Sequence, residues 1–115
     1  MQVQVQELSN VAVLDVVGEM PVFDTAFRDR FNGLFIAGRR NFVVLLRSVT
    51  LISDFGIGSI IHAYAMVRKA GGRLVLADPS KPVQDLLTAA RLSHVFEVFD
   101  KLEDALFTFG PGANR

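Results

Sequence analysis

Apolar and polar residues alternate with two different periods along this chain, and the pattern predicts a series of strands and helices. Residues 2–6 alternate Gln with Val, a period of two that predicts a half-buried strand at the edge of a sheet. Residues 11–17 form a more continuous apolar run that Gly18 closes, which predicts a second, more buried strand. Because only a turn signal at residues 9–10 separates the two runs, they are expected to pair as an antiparallel hairpin.

The rest of the chain alternates between helical spacing and short apolar runs. Four stretches place apolar residues three and four positions apart, the spacing of a helix with one buried face. These helices are expected at about residues 24–37, 55–70 and 80–90, and after a cap at Asp100. Continuous apolar runs between them predict strands at residues 42–46 and 73–77, and a short final strand or strand-like connection at 95–99. The expected order is therefore β-β-α-β-α-β-α-β-α.

This order predicts a mixed sheet. A helix that connects two strands of one sheet returns the chain to the same end of the sheet, so the strands that it joins run parallel. The hairpin at the start of the chain adds an antiparallel member. The pattern thus predicts an α/β domain with a mixed sheet of four to five strands.

Composition and charge narrow the class of protein. The chain has 115 residues, enough for one domain with one layered core. Its 12 Lys+Arg balance its 12 Asp+Glu, whereas a nucleic-acid-binding surface needs a basic excess or stripe. No stretch reaches the length and hydrophobicity of a membrane span, and residues 1–6 do not resemble a signal peptide. We therefore expect a soluble cytoplasmic protein with no nucleic-acid or membrane partner.

Catalytic and metal-binding motifs are missing from the sequence. There is no cysteine, and neither His62 nor His94 has the neighbouring ligand that a metal pair needs. Asp54 and His62 are eight residues apart, roughly 12 Å along a helix, which is too far for an acid–base pair in direct contact. The sequence also lacks a nucleophile elbow and a phosphate-binding glycine loop. We expect no catalytic residue, no metal and no cofactor, and hence no enzyme.

The most informative segment is the connection at residues 51–58, where an apolar stretch gives way to Ser53 and Asp54 and then at once to an apolar helix. Ser and Asp are strong N-caps, because their side-chain oxygens accept N–H groups left unpaired in the first helical turn. Phe55 is a large apolar residue at the very start of the helix, and two glycines follow it. Partners of open α/β sheets often bind at such strand ends. The segment is therefore either a capped helix start alone or also a binding surface.

Five segments, taken in order, carry a resemblance to a known family: residues 11–19, 42–46, 49–58, 71–76 and 86–92. They resemble the STAS domain, the fold of bacterial anti-sigma factor antagonists. The resemblance implies a single STAS-like domain at residues 1–109, with helices packed mainly on one face of the sheet. The composition of residues 110–115 predicts a flexible tail. The resemblance also implies that the domain binds an anti-sigma factor that is a serine kinase with the histidine-kinase-like ATPase fold.

The family's loop typically reads apolar-Asp-Ser-Ser-Gly-Leu-Gly, and the kinase phosphorylates the first serine. Aligning Gly56 with the family glycine places Ser53 at the family's Asp, Asp54 at the phosphorylated serine and Phe55 at the second serine. Asp54 is thus expected to replace the phosphoacceptor, and Ser53 is the alternative acceptor. Asp54 is then either a permanent substitute for the phosphate charge or a carboxylate that pairs with a Lys or Arg of the partner.

The expected partner-binding residues lie on this loop and on the exposed side of the helix that follows. They are Ser53, Asp54, Phe55, Gly56, Gly58, Ser59, His62 and Met66. The buried side of the same helix is expected to carry Ile57, Ile60, Ile61, Tyr64 and Val67. An alternative function is a STAS-type scaffold or sensory module, which forms a homodimer through the edge strand at residues 1–7 or binds a small ligand or nucleotide.

Overall fold

The computed structural model describes residues 1–110, which form five strands and four helices in the predicted order. The strands are β1 (Gln2–Glu7), β2 (Ala12–Met20), β3 (Asn41–Ile52), β4 (Arg73–Ala77) and β5 (Val98–Phe99). The helices are α1 (Ala26–Ile36), α2 (Asp54–Lys69), α3 (Lys81–Ala89) and α4 (Leu102–Phe107). Apart from Gly110, the tail predicted at 110–115 lies outside the described residues. None of the helices within residues 1–110 combines the length and apolar character that a membrane crossing requires.

The sheet is mixed, and its strands lie in the order β1-β2-β3-β4-β5. β1 pairs antiparallel with β2 at the edge of the sheet, which confirms the predicted hairpin. The other neighbouring strands pair in parallel, because each is reached through a helix that returns the chain to the same end of the sheet. The α/β class and the mixed five-stranded sheet are therefore confirmed.

The helices divide unequally between the two faces of the sheet. The larger core lies on the face that α1, α2 and α3 cover, where Phe27, Phe31 and Phe42 are fully buried. The smaller core lies on the opposite face, where Ala105 of α4 packs against apolar residues such as Val75. Three of the four helices thus share one face, which confirms the expected arrangement.

Two central strands are longer than the pattern predicted. β2 does not end at Gly18 but passes through this residue, at φ +97°, and continues to Met20. β3 continues beyond residue 46 to Ile52. The register of the β2–β3 pair shifts twice along these extensions, so the apolar alternation is interrupted although the pairing continues. As a result, both strands project past β4 at the end of the sheet where α2 begins.

Smaller differences occur at the ends of elements. α1 begins at Ala26 rather than at residue 24, and the Asp24 carboxylate accepts the N–H of Ala26 at 2.9 Å. β5 is restricted to Val98–Phe99, because the chain from residue 93 to 96 forms turns. α4 has Lys101 rather than Asp100 at its N-cap position, and no side-chain hydrogen bond caps it. The expectation that Asp100 caps this helix was therefore wrong.

Candidate functional site

The extensions of β2 and β3 hold the turn that leads into α2. Glu19 pairs with Leu51 and Met20 with Ile52 in the last two positions of the ladder. The N–H of Ser53 then donates to the carbonyl of Met20 at 2.9 Å. Since α2 begins at the very next residue, the start of this helix is fixed to the sheet without a flexible linker.

Ser53 is the N-cap of α2. Its backbone is extended (φ −90°, ψ 169°), and its hydroxyl oxygen accepts the N–H of Gly56 at 3.1 Å. The carbonyl of Ser53 also accepts the N–H of Ile57 at 3.0 Å, which is the first hydrogen bond of the helical ladder. Ser53 thus pairs one of the N–H groups that a helix start leaves without partners.

Asp54 is the first residue of α2, and its side chain is exposed to solvent. Among residues 1–110, its carboxylate has neither a hydrogen bond nor an ion pair. The partial positive charge of a helix N-terminus stabilises a carboxylate at this position by about 0.3–1 kcal/mol. Of the two polar residues in the turn, Ser53 is therefore the cap and Asp54 is the charge that remains available to a partner.

Phe55 lies in the first turn of α2 between an aromatic and a cationic neighbour. Its ring meets the ring of Phe23 edge-on, with the centroids 5.8 Å apart. The Arg28 guanidinium carbon lies 5.5 Å from the centroid of the Phe55 ring, within the range of a cation–π contact. Phe55 is thereby held half-buried beside Asp54, between the β2–α1 connection and α1.

The two glycines of the turn have different surroundings. Gly56 is buried, and a Cβ at this position would lie 2.9 Å from Met20 Cβ and 3.2 Å from the Met20 carbonyl oxygen. Gly58 is exposed, and a Cβ there would meet no atom within 4 Å. Close packing of α2 on β2 therefore requires the first glycine but not the second.

The remaining predicted residues of α2 do not all lie on one exposed strip. Ser59 is buried, with 6% of its surface exposed, and its hydroxyl donates to the Phe55 carbonyl at 3.0 Å. Its expected place on the exposed side of α2 is therefore wrong, because it faces the core together with Ile60. His62 is exposed and Met66 is half-buried, so both are accessible from solvent.

Three exposed apolar residues near the turn were not predicted as site residues. Val22 and Phe23, in the connection between β2 and α1, are 57% and 82% exposed. Leu51, near the end of β3, is 53% exposed. The available sequence signal was the apolar pair between Pro21 and Asp24, which lies outside the periodic pattern of both flanking elements. Phe23 brings exposed apolar surface to Phe55, the residue next to Asp54, whereas Leu51 alternates with Ile52 and points to the other face of the sheet.

Asp54 and His62, the acid–base pair considered from the sequence, do not form a hydrogen bond or an ion pair within residues 1–110. Asp54 and His62 lie eight residues apart on one helix, so about two turns separate them. The described part of the chain brings together no group of three or more His, Asp or Glu side chains that could hold a metal ion. What the turn presents instead is a carboxylate at a helix N-terminus with apolar side chains around it.

A family model described as the STAS domain matches residues 2–105 of this chain. No curated protein sequence matches this chain significantly. The family match covers both extended strands, the turn at Ser53 and all helices up to most of α4.

Solved bacterial structures share the fold. A candidate anti-sigma factor antagonist of Thermotoga maritima superposes with a TM-score of 0.84 at 18% identity, covering 92% of each chain. An anti-sigma factor antagonist of Mycobacterium paratuberculosis gives 0.83 at 18% identity, covering 93% of this chain and 92% of its own. Unphosphorylated SpoIIAA, an anti-sigma factor antagonist, gives 0.77 at 15% identity over 94% of this chain and 96% of its own. Bacillus SpoIIAA also has a solved phosphorylated form.

Proposed function

The chain belongs to the STAS domain family, and we propose that it acts there as a non-enzymatic anti-sigma factor antagonist in the bacterial cytoplasm. Its partner is an anti-sigma factor that is a serine kinase with the histidine-kinase-like ATPase fold. The partner binds the turn at Ser53–Gly58 and the exposed side of α2, including His62 and Met66. Asp54 takes the position that the phosphorylated serine has in the family.

The observation that supports this proposal most directly is the state of Asp54. It is exposed at the first position of α2, and no other side chain among residues 1–110 pairs with it. A carboxylate that only capped the helix would accept an N–H of the first turn, but Ser53 does this instead. Asp54 is therefore free to interact with another molecule.

A partner that covers Asp54 must compensate for the loss of its hydration. Burying an unpaired carboxylate costs several kcal/mol, whereas an Arg or Lys opposite it forms a charge-assisted hydrogen bond. A phosphoserine carries about −1.5 to −2 charges and Asp carries one, so Asp54 resembles the modified residue only in part. We propose that the partner supplies a basic side chain to Asp54, so that the carboxylate contributes to binding rather than preventing it.

The test is the affinity of an Asp54→Ser variant for each anti-sigma kinase encoded in the same genome, measured by calorimetry with purified proteins. We expect binding to weaken by at least about tenfold, because the partner's basic group loses its counter-charge when the complex forms. Asp104→Ser is the matched control, since Asp104 is also an exposed Asp in the first turn of a helix but lies on α4, across the sheet. The control is expected to change the dissociation constant less than twofold, because Asp104 lies at the same end of the sheet but outside the turn at Ser53.

Tighter binding of Asp54→Ser would contradict the proposed pairing. It would support the other reading of this position, in which Asp54 acts as a permanent phosphate-like charge that keeps the partner away. No binding of the wild type to any of these kinases would contradict the proposed function itself.

A second candidate function is a STAS-type scaffold, and the free edge of the sheet favours it. β1 is an edge strand of six residues whose sequence, Gln-Val-Gln-Val-Gln-Glu, contains no Pro or Lys to discourage pairing. Another copy could add its own β1 to this edge and form a homodimer. Light scattering over a range of concentrations separates the two functions, because the scaffold requires a dimer and the antagonist does not.

A further inference from the structure

Phe23 combines two features that are unfavourable in an isolated domain. It is 82% exposed, and its backbone has φ +68°. Residues 1–110 contain three non-glycine residues with positive φ, namely Phe23, Asp78 and Arg91, and Phe23 alone among them is apolar. Positive φ is an outlier for a bulky side chain and stores strain, which occurs preferentially at functional sites. The edge-on contact with Phe55 leaves most of the Phe23 ring exposed, so this contact accounts for little of the ring's apolar surface.

The location of Phe23 connects it to the proposed binding site. Its ring contacts Phe55, the residue directly after Asp54. Val22 is also more than half exposed, and the pairing of Met20 with Ile52 keeps the β2–α1 connection beside the turn at Ser53. We call this group the apolar rim; it consists of Val22, Phe23 and Phe55.

The charge around the apolar rim is predominantly negative. Glu19 is exposed and pairs with Leu51 in the ladder, and Asp54 adjoins Phe55. The same end of the sheet, where β2 to β5 end and the four helices begin, contains most of the other carboxylates. The carboxylates at this end are Glu19, Asp24, Asp29, Asp54, Asp78, Asp100, Glu103 and Asp104, and the cations are the N-terminal ammonium of Met1, which pairs with Asp24, together with Arg28, Lys81 and Lys101. A partner docking here meets an acidic surface.

The opposite end of the sheet has the reverse charge. Arg39, Arg40, Arg68, Lys69, Arg73 and Arg91 lie there, against Glu7 and Glu97. Glu7 pairs with Arg39, and Glu97 pairs with Arg73. The zero net charge of the chain therefore conceals a strong separation of charge between its two ends.

We propose that Phe23 is the anchor of the docking surface, which inserts into an apolar pocket of the partner, and that Lys or Arg side chains line that pocket. This inference rests on the proposed function and adds the β2–α1 connection to the binding surface. Aromatic anchors at the centre of an interface account for much of its binding energy when polar groups around them exclude water. The acidic residues around the apolar rim select a basic pocket and increase the rate of association.

The decisive variant is Phe23→Asn, because Asn adopts positive φ with less strain than Phe and removes the ring. We expect it to fold with a melting temperature equal to or above that of the wild type and to bind the anti-sigma kinase at least tenfold more weakly. Ile36→Ser is the matched control, since Ile36 is 84% exposed but lies at the C-terminal end of α1, away from the turn. The control is expected to change the dissociation constant less than twofold.

A Glu19→Lys variant tests the charge of the partner. If the pocket is basic, this variant reduces the association rate several-fold at low salt, and the difference shrinks as the salt concentration rises. A faster association would overturn the basic pocket.

Each remaining outcome has a distinct meaning. If Phe23→Asn binds like the wild type while Asp54→Ser binds more weakly, the inference is wrong and the proposed function stands. If Phe23→Asn lowers the melting temperature, the ring is a structural contact of Phe55 and not an anchor. If the wild-type chain self-associates and this variant alone does not, the occupant is a second copy of the chain. If no kinase binds the wild type, the proposed function fails, and this inference with it.

Discussion

Ser53 and Asp54 are neighbours with separate tasks at the start of α2. The Ser53 hydroxyl oxygen accepts the Gly56 N–H, so a kinase that used this oxygen as the nucleophile would have to break that hydrogen bond. Losing a serine cap costs about 0.5–2 kcal/mol of stability. Asp54 makes no capping hydrogen bond within residues 1–110, and its interaction with the helix N-terminus is electrostatic only. The separation supports Asp54, rather than Ser53, as the residue presented to a partner.

The two glycines of the turn give a direct test of this packing. Gly56→Ala is expected to destabilise the domain by about 1–3 kcal/mol, because its Cβ would lie 2.9 Å from Met20 Cβ, closer than van der Waals contact allows. Gly58→Ala is expected to stabilise it by about 0.5–1 kcal/mol, because its Cβ meets no atom within 4 Å and Ala is the better helix former. Urea unfolding of both variants measures the difference. Equal effects would mean that α2 does not pack on Met20 as closely as described.

At the scale of single residues, the sequence predicted which polar side chains cap a helix better than it predicted which side chains are buried. The cap at Ser53 or Asp54 followed from the chemistry of short polar side chains before an apolar helix. The burial of Ser59 did not, because its hydroxyl is paired within the helix by the Phe55 carbonyl and the side chain can therefore enter the core. The sequence did not predict the exposure of Phe23 either, since apolar character alone predicts burial.

At the scale of elements, the extensions of β2 and β3 were the main feature that the sequence did not predict. Beyond residue 46 the buried run is interrupted by Arg47, which is exposed, and by two shifts in register. Gly18 likewise resembles a strand end, whereas its positive φ allows the chain to bend and continue pairing. The order and direction of the elements were predictable because their apolar periods are distinct and helical crossovers enforce parallel pairing.

The ion pair between Arg73 and Glu97 joins the start of β4 to the segment before β5. The Arg73 Nε–H donates to Glu97 Oε1 at 2.9 Å, and this hydrogen bond lowers the pKa of the Glu97 carboxyl. Arg73 also donates to the carbonyl of Thr108 at 3.3 Å and lies over the Phe109 ring, beyond the end of α4. The pair therefore connects β4 to both elements that follow α3.

A Glu97→Gln variant tests this connection through its pH dependence. Since the pKa of Glu97 is lower in the folded state, the charged form stabilises the fold above the unfolded pKa of about 4.3. That stability is lost as the pH falls through the folded pKa. At pH 7 the free energy of unfolding of the wild type is expected to exceed that of the variant by up to about 1 kcal/mol. The difference is small because both side chains of the ion pair are partly exposed. The difference should vanish in acid.

Urea unfolding at several pH values measures this difference. Asp85→Asn is the comparison, because it removes the exposed pair between Lys81 and Asp85 within α3 and is expected to change stability less. A difference between Glu97→Gln and the wild type that grew as the pH fell would contradict the assignment.

At the scale of the whole molecule, the two faces of the sheet differ in the size of the core that they bury, and the two ends of the sheet differ in charge. The face under α1, α2 and α3 contains the fully buried aromatic side chains, so it provides most of the buried apolar surface. The end where those helices begin is acidic and bears the apolar rim, whereas the other end is basic. The proposed binding surface thus sits on the best-packed half of the domain, where a rigid turn is easiest to maintain.

We expect α4 to be the least stable helix of the domain, because it packs on the smaller core. α4 has six residues, no side-chain cap and one fully buried residue, Ala105. Its other inward residues, such as Leu106, are only partly buried against the second core. Local opening requires the least free energy where few apolar contacts are lost. We therefore expect the amides of α4 to exchange with solvent faster than those of the central strand β3, through an opening that leaves the sheet intact.

Hydrogen exchange monitored by NMR compares the exchange rates of the α4 and β3 amides in two variants. Leu106→Ala should accelerate exchange within α4 and leave the amides of β3 unchanged, because it weakens only the contact that closes α4 on the sheet. Phe31→Ala, in the larger core, should destabilise the domain by about 3–5 kcal/mol and accelerate exchange in β3 and α4 together. If Leu106→Ala accelerated exchange in β3 as much as in α4, the two faces would unfold as one unit. A partner bound at the acidic end would then stabilise α4 as well as α2, whereas independent opening confines its effect to the face that it contacts.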